Sequence, residues 1–304
     1  MRIRRTLRRA FTLVEIMTSL AILGIIGLGF VRLVLTQSRF TEGQMAKRNA
    51  RTISRNAMNI LLTDLRMVED RDGLIHAARD SVTVRVPVAF GLLCANAGGV
   101  ATISLLPVDS AMTAMGRYAG WAYRDSVTGN FVYNDAVTPK PFDDLDNASS
   151  GTCTDSAVVL GVQQPGILQV TYGTRTGRIV RVQDPVTLGT PNAGWPVFLY
   201  QQITYRFDSS LAYPHRVGLF RKVRTDNIAA PLTDEIIAPF DSSAKFRFYV
   251  LNADIAQDAA PTDLNTVRGL ELLLAGSSPR AQQGEKAAEQ ALVTGVFFKN
   301  RRDP

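Results

Sequence analysis

Residues 11–35 read FTLVEIMTSLAILGIIGLGFVRLVL, and no other stretch restricts the fate of the chain as much. Its longest uncharged run, residues 16–31, has 16 residues, slightly fewer than the roughly 20 that cross a bilayer as a helix. Leu13 and Val14, and residues 33–35 beyond Arg32, extend it. A helix that is apolar on every side has to sit in lipid or in a bundle of its own kind. Just before it lie Arg2, Arg4, Arg5, Arg8 and Arg9, with no acid among them. A secretory signal also has a basic start and an apolar core, but it closes on an Ala-x-Ala-like cleavage site. The sequence that follows here, VLTQSRFTEGQMAKRNARTISRN, has no such site and no proline or turn cluster. The segment therefore reads as a signal anchor, with the arginine-rich start cytoplasmic and the rest outside.

That location changes the meaning of the net charge. The 304-residue chain carries +7, which at first suggests a nucleic-acid or membrane-surface partner. Setting aside the five leader arginines leaves 29 of the 34 basic residues against 27 acidic ones, so the remainder is close to neutral and nucleic acid is not an expected partner. The content of 46% hydrophobic and 20% charged residues suits a globular part of one large or two small domains.

Glu15 is the feature that needs a reason. A carboxylate inside an apolar segment costs roughly 2.5–3.5 kcal/mol at mid-bilayer and less near the interface. It either snorkels to the headgroups or meets a cation, and a cut between Ala10 and Phe11 would supply one as a free amino group four residues before it. The stretch RRAFTLVEIMTSLAILGIIGLG resembles the prepilin processing signal of type IV pilins and type II secretion pseudopilins. The resemblance implies cleavage by a dedicated prepilin peptidase after Ala10, methylation of Phe11, and neutralisation of a neighbouring subunit's N-terminus by Glu15. The family usually has Gly where this chain has Ala10. It further implies other pilins or pseudopilins and an inner-membrane assembly platform as partners, and a single-pass inner-membrane protein with a periplasmic head that later joins a fibre.

Beyond the apolar run, Ile53, Ala57, Ile60, Leu61, Leu65 and Val68 recur at helical spacing, with Arg51, Arg55, Asn59, Thr63 and Arg66 on other faces. No proline precedes Pro87, so one helix from Thr12 to about Asp70 is expected, about 90 Å long. Gly24, Gly27 and Gly29 permit close approach of a neighbouring helix without forming a GxxxG pair. From Ser81 the rhythm becomes two, with Val82, Val84, Val86 and Val88 alternating and Pro87 suggesting an edge strand. Further strand candidates follow between turn-rich breaks. The expected fold class is α+β: a leader at 1–10, a long helix at 11–72 that serves as transmembrane and polymerisation stem, and an antiparallel β-sheet head at 73–304 with a long polar loop near 134–156. The order QQITYRFDSS, GLFRKVRTD, APFDSSAKFRFYVLNAD, VRGLELLLAGSSPR, closed by VFFKNRR, resembles the heads of PilW-type minor pilins and J-type pseudopilins.

Outside the stem the candidates for chemistry are few. Cys94 and Cys153 are the only cysteines; in an oxidising compartment they suggest a disulfide. Asp143, Asp144 and Asp146 gather oxygen ligands of the kind calcium prefers, without the glycine and closing Glu of an EF-hand, and read better as a solvated acidic loop. His76 and His215 are the only histidines, and neither G-x-S-x-G, H-E-x-x-H, a P-loop nor C-x-x-C occurs. No catalytic residue, metal or cofactor is expected. Arg39, Lys47, Arg48, Arg51 and Arg55 on the stem read as a solvated or neighbour-facing side.

Overall fold

The computed structural model describes residues 12–97, 100–109, 117–141, 157–159, 162–164, 171–172, 175–183, 194–224, 234–281 and 287–298. Helix α1 runs unbroken from Leu13–Leu65. Thr12 starts it in an extended conformation, its Oγ1 accepting from the Glu15 N–H at 3.4 Å, and the Glu15 charge in the first turn complements the helix dipole. Within the apolar half, the Thr18 and Thr36 hydroxyls donate to Val14 O at 3.0 Å and Arg32 O at 2.8 Å, so these polar groups need no solvent. At the other end the last turn tightens, Met67 N–H bonding Asp64 O at 3.0 Å. Asp72 then takes φ 55°, and Gly73 sits so close to the helix end that a Cβ would lie 2.2 Å from Glu69 O. The helix thus stops short of the expected Asp70, because the chain turns there into the sheet.

The strands are β1 (Leu74–Ala77), β2 (Ser81–Ala97), β3 (Val100–Leu105), β4 (Arg117–Arg124), β5 (Phe131–Pro141), β6 (Ala157–Val159), β7 (Val162–Gln164) and β8 (Thr171–Tyr172). They continue as β9 (Arg175–Thr176), β10 (Ile179–Gln183), β11 (Pro196–Ser209), β12 (Val217–Val223), β13 (Glu235–Phe240), β14 (Lys245–Val250), β15 (Val267–Ala281) and β16 (Ala287–Phe297). Twelve of them form one sheet with the path β10-β3-β2-β11-β12-β13-β15-β14; β1 joins β2, β16 joins β15, and the β4–β5 hairpin joins β11. Pairings among the described strands are antiparallel. The expected α+β plan, a long helix on an antiparallel sheet, is the one observed.

Among the described residues the two largest of three apolar clusters lie along β2 and β11. Under α1, the buried Ala57, Leu61, Leu65 and Val68 meet Val82, Val84, Val86, Tyr205, Phe246, Phe248, Leu270, Leu272 and Leu274. Fully burying a leucine such as Leu61 contributes about 1.5–3 kcal/mol. The second core gathers Ala89, Leu93, Ile103, Leu105, Tyr118, Trp121, Val180 and Leu199. A β-bulge connects the two: Tyr200 pairs with Pro87, but Leu199 pairs with Ala89. The extra residue shifts the alternation, so even positions are buried before it and Ala89 and Leu93 after it. Val88, expected on the buried face, is only half-buried for this reason.

Other expectations need correction. Pro87 is not on an edge strand, since β11 flanks β2 on one side and β1 and β3 on the other. Arg85 N–H donates to Gly73 O at 2.8 Å on the β1 side. By alternation the Pro87 position faces the gap between the start of β1 and the end of β3, where no ladder partner needs an N–H. Residues 134–141, expected to open a long loop, belong to β5 and pair with β4; the rest of that loop lies outside the described residues. β1, β4, β9 and β13 were not expected. β4, RYAGWAYR, is buried on both faces and so shows no alternation.

Where the helix meets the sheet, packing is closest. A Cβ on Gly276 of β15 would lie 2.2 Å from Ala50 O and 2.5 Å from Ser54 Oγ. Gly276→Ala should therefore push α1 off the sheet and lower the stability of the full chain in detergent by roughly 1–3 kcal/mol or more, measured by urea denaturation. An unchanged midpoint would mean that the helix is not seated there.

Candidate assembly site on the projecting helix

Only the second part of α1 belongs to the head. Ala50 is its first buried residue, followed by Ser54, Ala57, Leu61 and Leu65. Residues 13–49 project, about 55 Å of helix at 1.5 Å per residue, and none of them is buried. Leu13, Ile16, Leu20, Ile25, Leu28, Phe30 and their neighbours are each at least half exposed. The segment is long and apolar enough to cross a membrane, and the share of its apolar window buried inside the molecule is 0%. That much bare apolar surface requires lipid or neighbouring helices. Glu15 lies in the first turn, exposed. Ala10 and Phe11, the expected cleavage and methylation positions, lie outside the described residues. Gly24, Gly27 and Gly29 have nothing within 4 Å of a built Cβ, so each of these positions is open to a neighbour.

Two polar devices fix the helix to the head. The buried Ser54 hydroxyl accepts from Gly276 N–H at 3.0 Å and reaches Leu274 O at 3.0 Å and Gln290 O at 3.2 Å. It thereby serves two strands at once, in a place that water does not reach. In the last turn of the helix, Asp64 accepts from Tyr205 Oη and from Arg221 Nη2 at 3.3 Å. Burial pushes the Tyr205 phenol up, and Asp64 pushes it further, so Tyr205 stays a neutral donor. Sequence reasoning missed both. The signal for Ser54 was a hydroxyl lying on the apolar stripe between Ala50 and Ala57.

A third cluster ties the β4–β5 hairpin to β2 and β11. Arg85 meets Asp135 at 2.5 Å, and Asp135 also accepts from Tyr200 Oη at 2.6 Å and Gln202 Nε2 at 3.0 Å. The Arg85 guanidinium stands 4.7 Å from the centre of the Tyr133 ring. Partial burial pushes the Asp135 carboxyl up, but the bonds from Arg85, Tyr200 and Gln202 outweigh it and hold it below the usual range.

The remaining expected residues do not converge. Cys94 is buried and disulfide-bonded; Cys153, like Asp143, Asp144 and Asp146, lies outside the described residues. No group of three or more potential metal ligands occurs among the described residues. His76 is exposed in β1, and His215, at φ 60°, is exposed in the turn after Tyr213 and Pro214. Arg39, Lys47, Arg48, Arg51 and Arg55 are exposed along the helix.

Comparison with known families places a prokaryotic N-terminal methylation motif on residues 5–31. The matched stretch contains Arg5, Arg8 and Arg9 of the leader, the Ala10–Phe11 junction, Glu15 and the apolar run. It supports a pilin-like or pseudopilin-like chain that is a substrate of prepilin peptidase and is anchored by its N-terminal helix. No curated protein and no solved structure matches the chain.

The Asp135 cluster carries a pH signature. A depressed carboxyl stabilises the fold above its unfolded-state value and loses that contribution as pH falls through the lower, folded-state one, here below about pH 4. Asp135→Asn should cost roughly 1–2 kcal/mol near pH 7, a buried-pair effect reduced because 40% of that side chain faces water. The variant should also lose less stability than the parent between about pH 7 and 3. Equal acid slopes in urea titrations would show that Asp135 is not the group responsible.

Proposed function

We propose that this chain is a minor subunit of a type IV pilus, placed at or near the fibre tip and used to start assembly. The observation that carries the reading is the pairing of the methylation motif with a long apolar helix that finds no cover in its own head. In this reading the leader stays cytoplasmic, the helix spans the inner membrane and the head folds in the periplasm. Prepilin peptidase cuts after Ala10 and methylates Phe11. Glu15 then meets the amino group of an adjacent subunit in a low-dielectric bundle, where a paired carboxylate is far cheaper to bury than a lone one. The work is done by burial of the apolar helix and this single contact, and no substrate is transformed.

The large head supports a terminal position, because about 230 residues hung on one helix would crowd a continuous shaft. The segments that resemble PilW-type heads form adjacent strands, the second half of β11, β12, β13, β14 and β15, and contribute to the core under α1. The same segments support a J-type minor pseudopilin of a type II secretion system, which shares every physical step and differs in its partner subunits.

Intact mass and N-terminal sequencing of the chain from its native membrane test the reading. A chain beginning at methylated Phe11 is expected; one beginning at Met1, in cells with active prepilin peptidase, would leave a signal-anchored periplasmic protein instead. Glu15→Gln should be inserted and processed normally yet be depleted from sheared or purified fibres by about tenfold or more, as loss of a buried charge pair implies. Recovery of the variant in fibres at the parental level would remove Glu15 from assembly.

A further inference from the structure

One flank of α1 is built differently from the rest. Gln44, Lys47, Arg48, Arg51, Thr52 and Arg55 recur every three or four residues and line a single open groove. No acidic side chain lies in it. Lys47, Arg48 and Arg55 make no ion pair among the described residues. Arg51 Nε donates to Gln290 Oε1 at 3.3 Å, which places this flank beside the first half of β16.

Among the described residues β16 is an outer strand of the sheet, pairing with β15 alone. Its sequence, AAEQALVTGVF, has no proline, no lysine and the single charge of Glu289. Ala291, Val293 and Phe297 are exposed on its outer face. Protected edges use charges, prolines, bulges or a covering segment; among the described residues this 11-residue strand has only Glu289 and a pairing irregularity near its start, so from Gln290 onward it is a template for another chain.

The two features share one side of the molecule and point to one occupant. We propose that an extended acidic segment of a neighbouring protein subunit adds as a strand to the free edge of β16, its alternate side chains meeting the cationic flank of α1. Side chains on one face of a strand recur about every 6.6 Å. Lys47 or Arg48, Arg51 and Arg55 succeed one another about every 4.5–6 Å along the helix axis, a spacing that long basic arms readily match. Backbone N–H and C=O groups would give the affinity and the cations the choice of partner, disfavouring neutral and basic strands.

Lipid headgroups are too distant to be the occupant. Lys47 lies about 18 Å beyond Leu35 along the helix, whereas the headgroup layer adds only about 5–8 Å to each side of the hydrocarbon and charges are screened over about 8 Å. Nucleic acid would use the cations but leave the strand edge bare. The inference rests on the subunit reading for the partner's identity, whereas the binding itself does not depend on processing.

The test uses the full chain in detergent micelles and a fluorescent nonapeptide of alternating Glu and Val. Fluorescence anisotropy should show saturable binding that weakens between about 50 and 300 mM salt, and amide exchange in β16 should slow on binding. Arg51→Glu with Arg55→Glu should weaken binding by about tenfold or more. Lys47→Glu with Arg48→Glu, on the bare helix below the head, should do the same without touching the core. A Lys-Val peptide should not bind. Undiminished affinity in both double variants, or binding that leaves β16 exchange unchanged, would overturn the proposal. So would failure of the peptide to bind where a short DNA duplex or anionic phosphatidylglycerol vesicles bind through residues 47–55. A chain found to begin at Met1 would sink the subunit reading and leave the binding result standing; a processed chain without peptide binding would sink this inference alone.

Discussion

Ser54 marks the point where one helix passes from one surrounding to another, and the molecule depends on that point being fixed. Before Ala50, one turn earlier, the helix has no buried residue; from Ala50 on, it packs on the sheet and covers the main core. An amphipathic stripe alone would let the helix slide, because leucines on a sheet tolerate small shifts of register. The seam at Ala50, Ser54 and Gly276 prevents this in two ways. Gly276 lets the helix backbone come close enough that any larger residue would strike Ala50 O. Ser54 then joins that contact to β15 and β16 through three backbone groups. A slip of one residue would orphan these groups away from water, at about 1–3 kcal/mol each. The length of helix available for the membrane and for neighbours is therefore set by the head.

The head in turn is made independent of the projecting half. Its second core, around Leu93, Trp121 and Leu199, has no helix residue in it, and the bulge at Pro87 and Leu199 lets β2 and β11 serve both cores in sequence. The Asp64–Tyr205–Arg221 contact closes the other end of the buried helix. The sheet then has its stability whether the apolar half lies in lipid or among other helices, as a subunit that must exchange one for the other requires.

How much of this could be read from the chain follows from the range of each interaction. The apolar run, Glu15 and the stripe Ala57, Leu61, Leu65, Val68 are local patterns with the helix period, so the long helix was legible. The valines of β2 were legible up to Pro87, where a bulge defined only by the pairing with β11 reversed the alternation and left Val88 half-buried. β4 escaped notice because Ala119, Gly120 and Ala122 are small and both of its faces are covered. Asp135 looked like the start of a loop; its partners Arg85, Tyr200 and Gln202 come from strands far away in sequence. Ser54 was visible as a hydroxyl on an apolar stripe, yet its role depends on Gly276, more than two hundred residues later.

The same seam explains why the two ends of the helix can have different partners without conflict. Because α1 is continuous from Leu13 to Leu65, the apolar half and the cationic flank are fixed in both rotation and height relative to the sheet. A neighbour that packs on the apolar half thus meets the flank of residues 47–55 and the edge of β16 at a set distance. Contacts held on one rigid element act at high effective concentration once the first is made, so a weak contact at the head could choose the neighbour while the apolar helix supplies most of the affinity. A flexible linker at residues 36–49 would lose that coupling. The chain instead keeps this polar neck helical, without a proline, although none of its residues is buried in its own molecule.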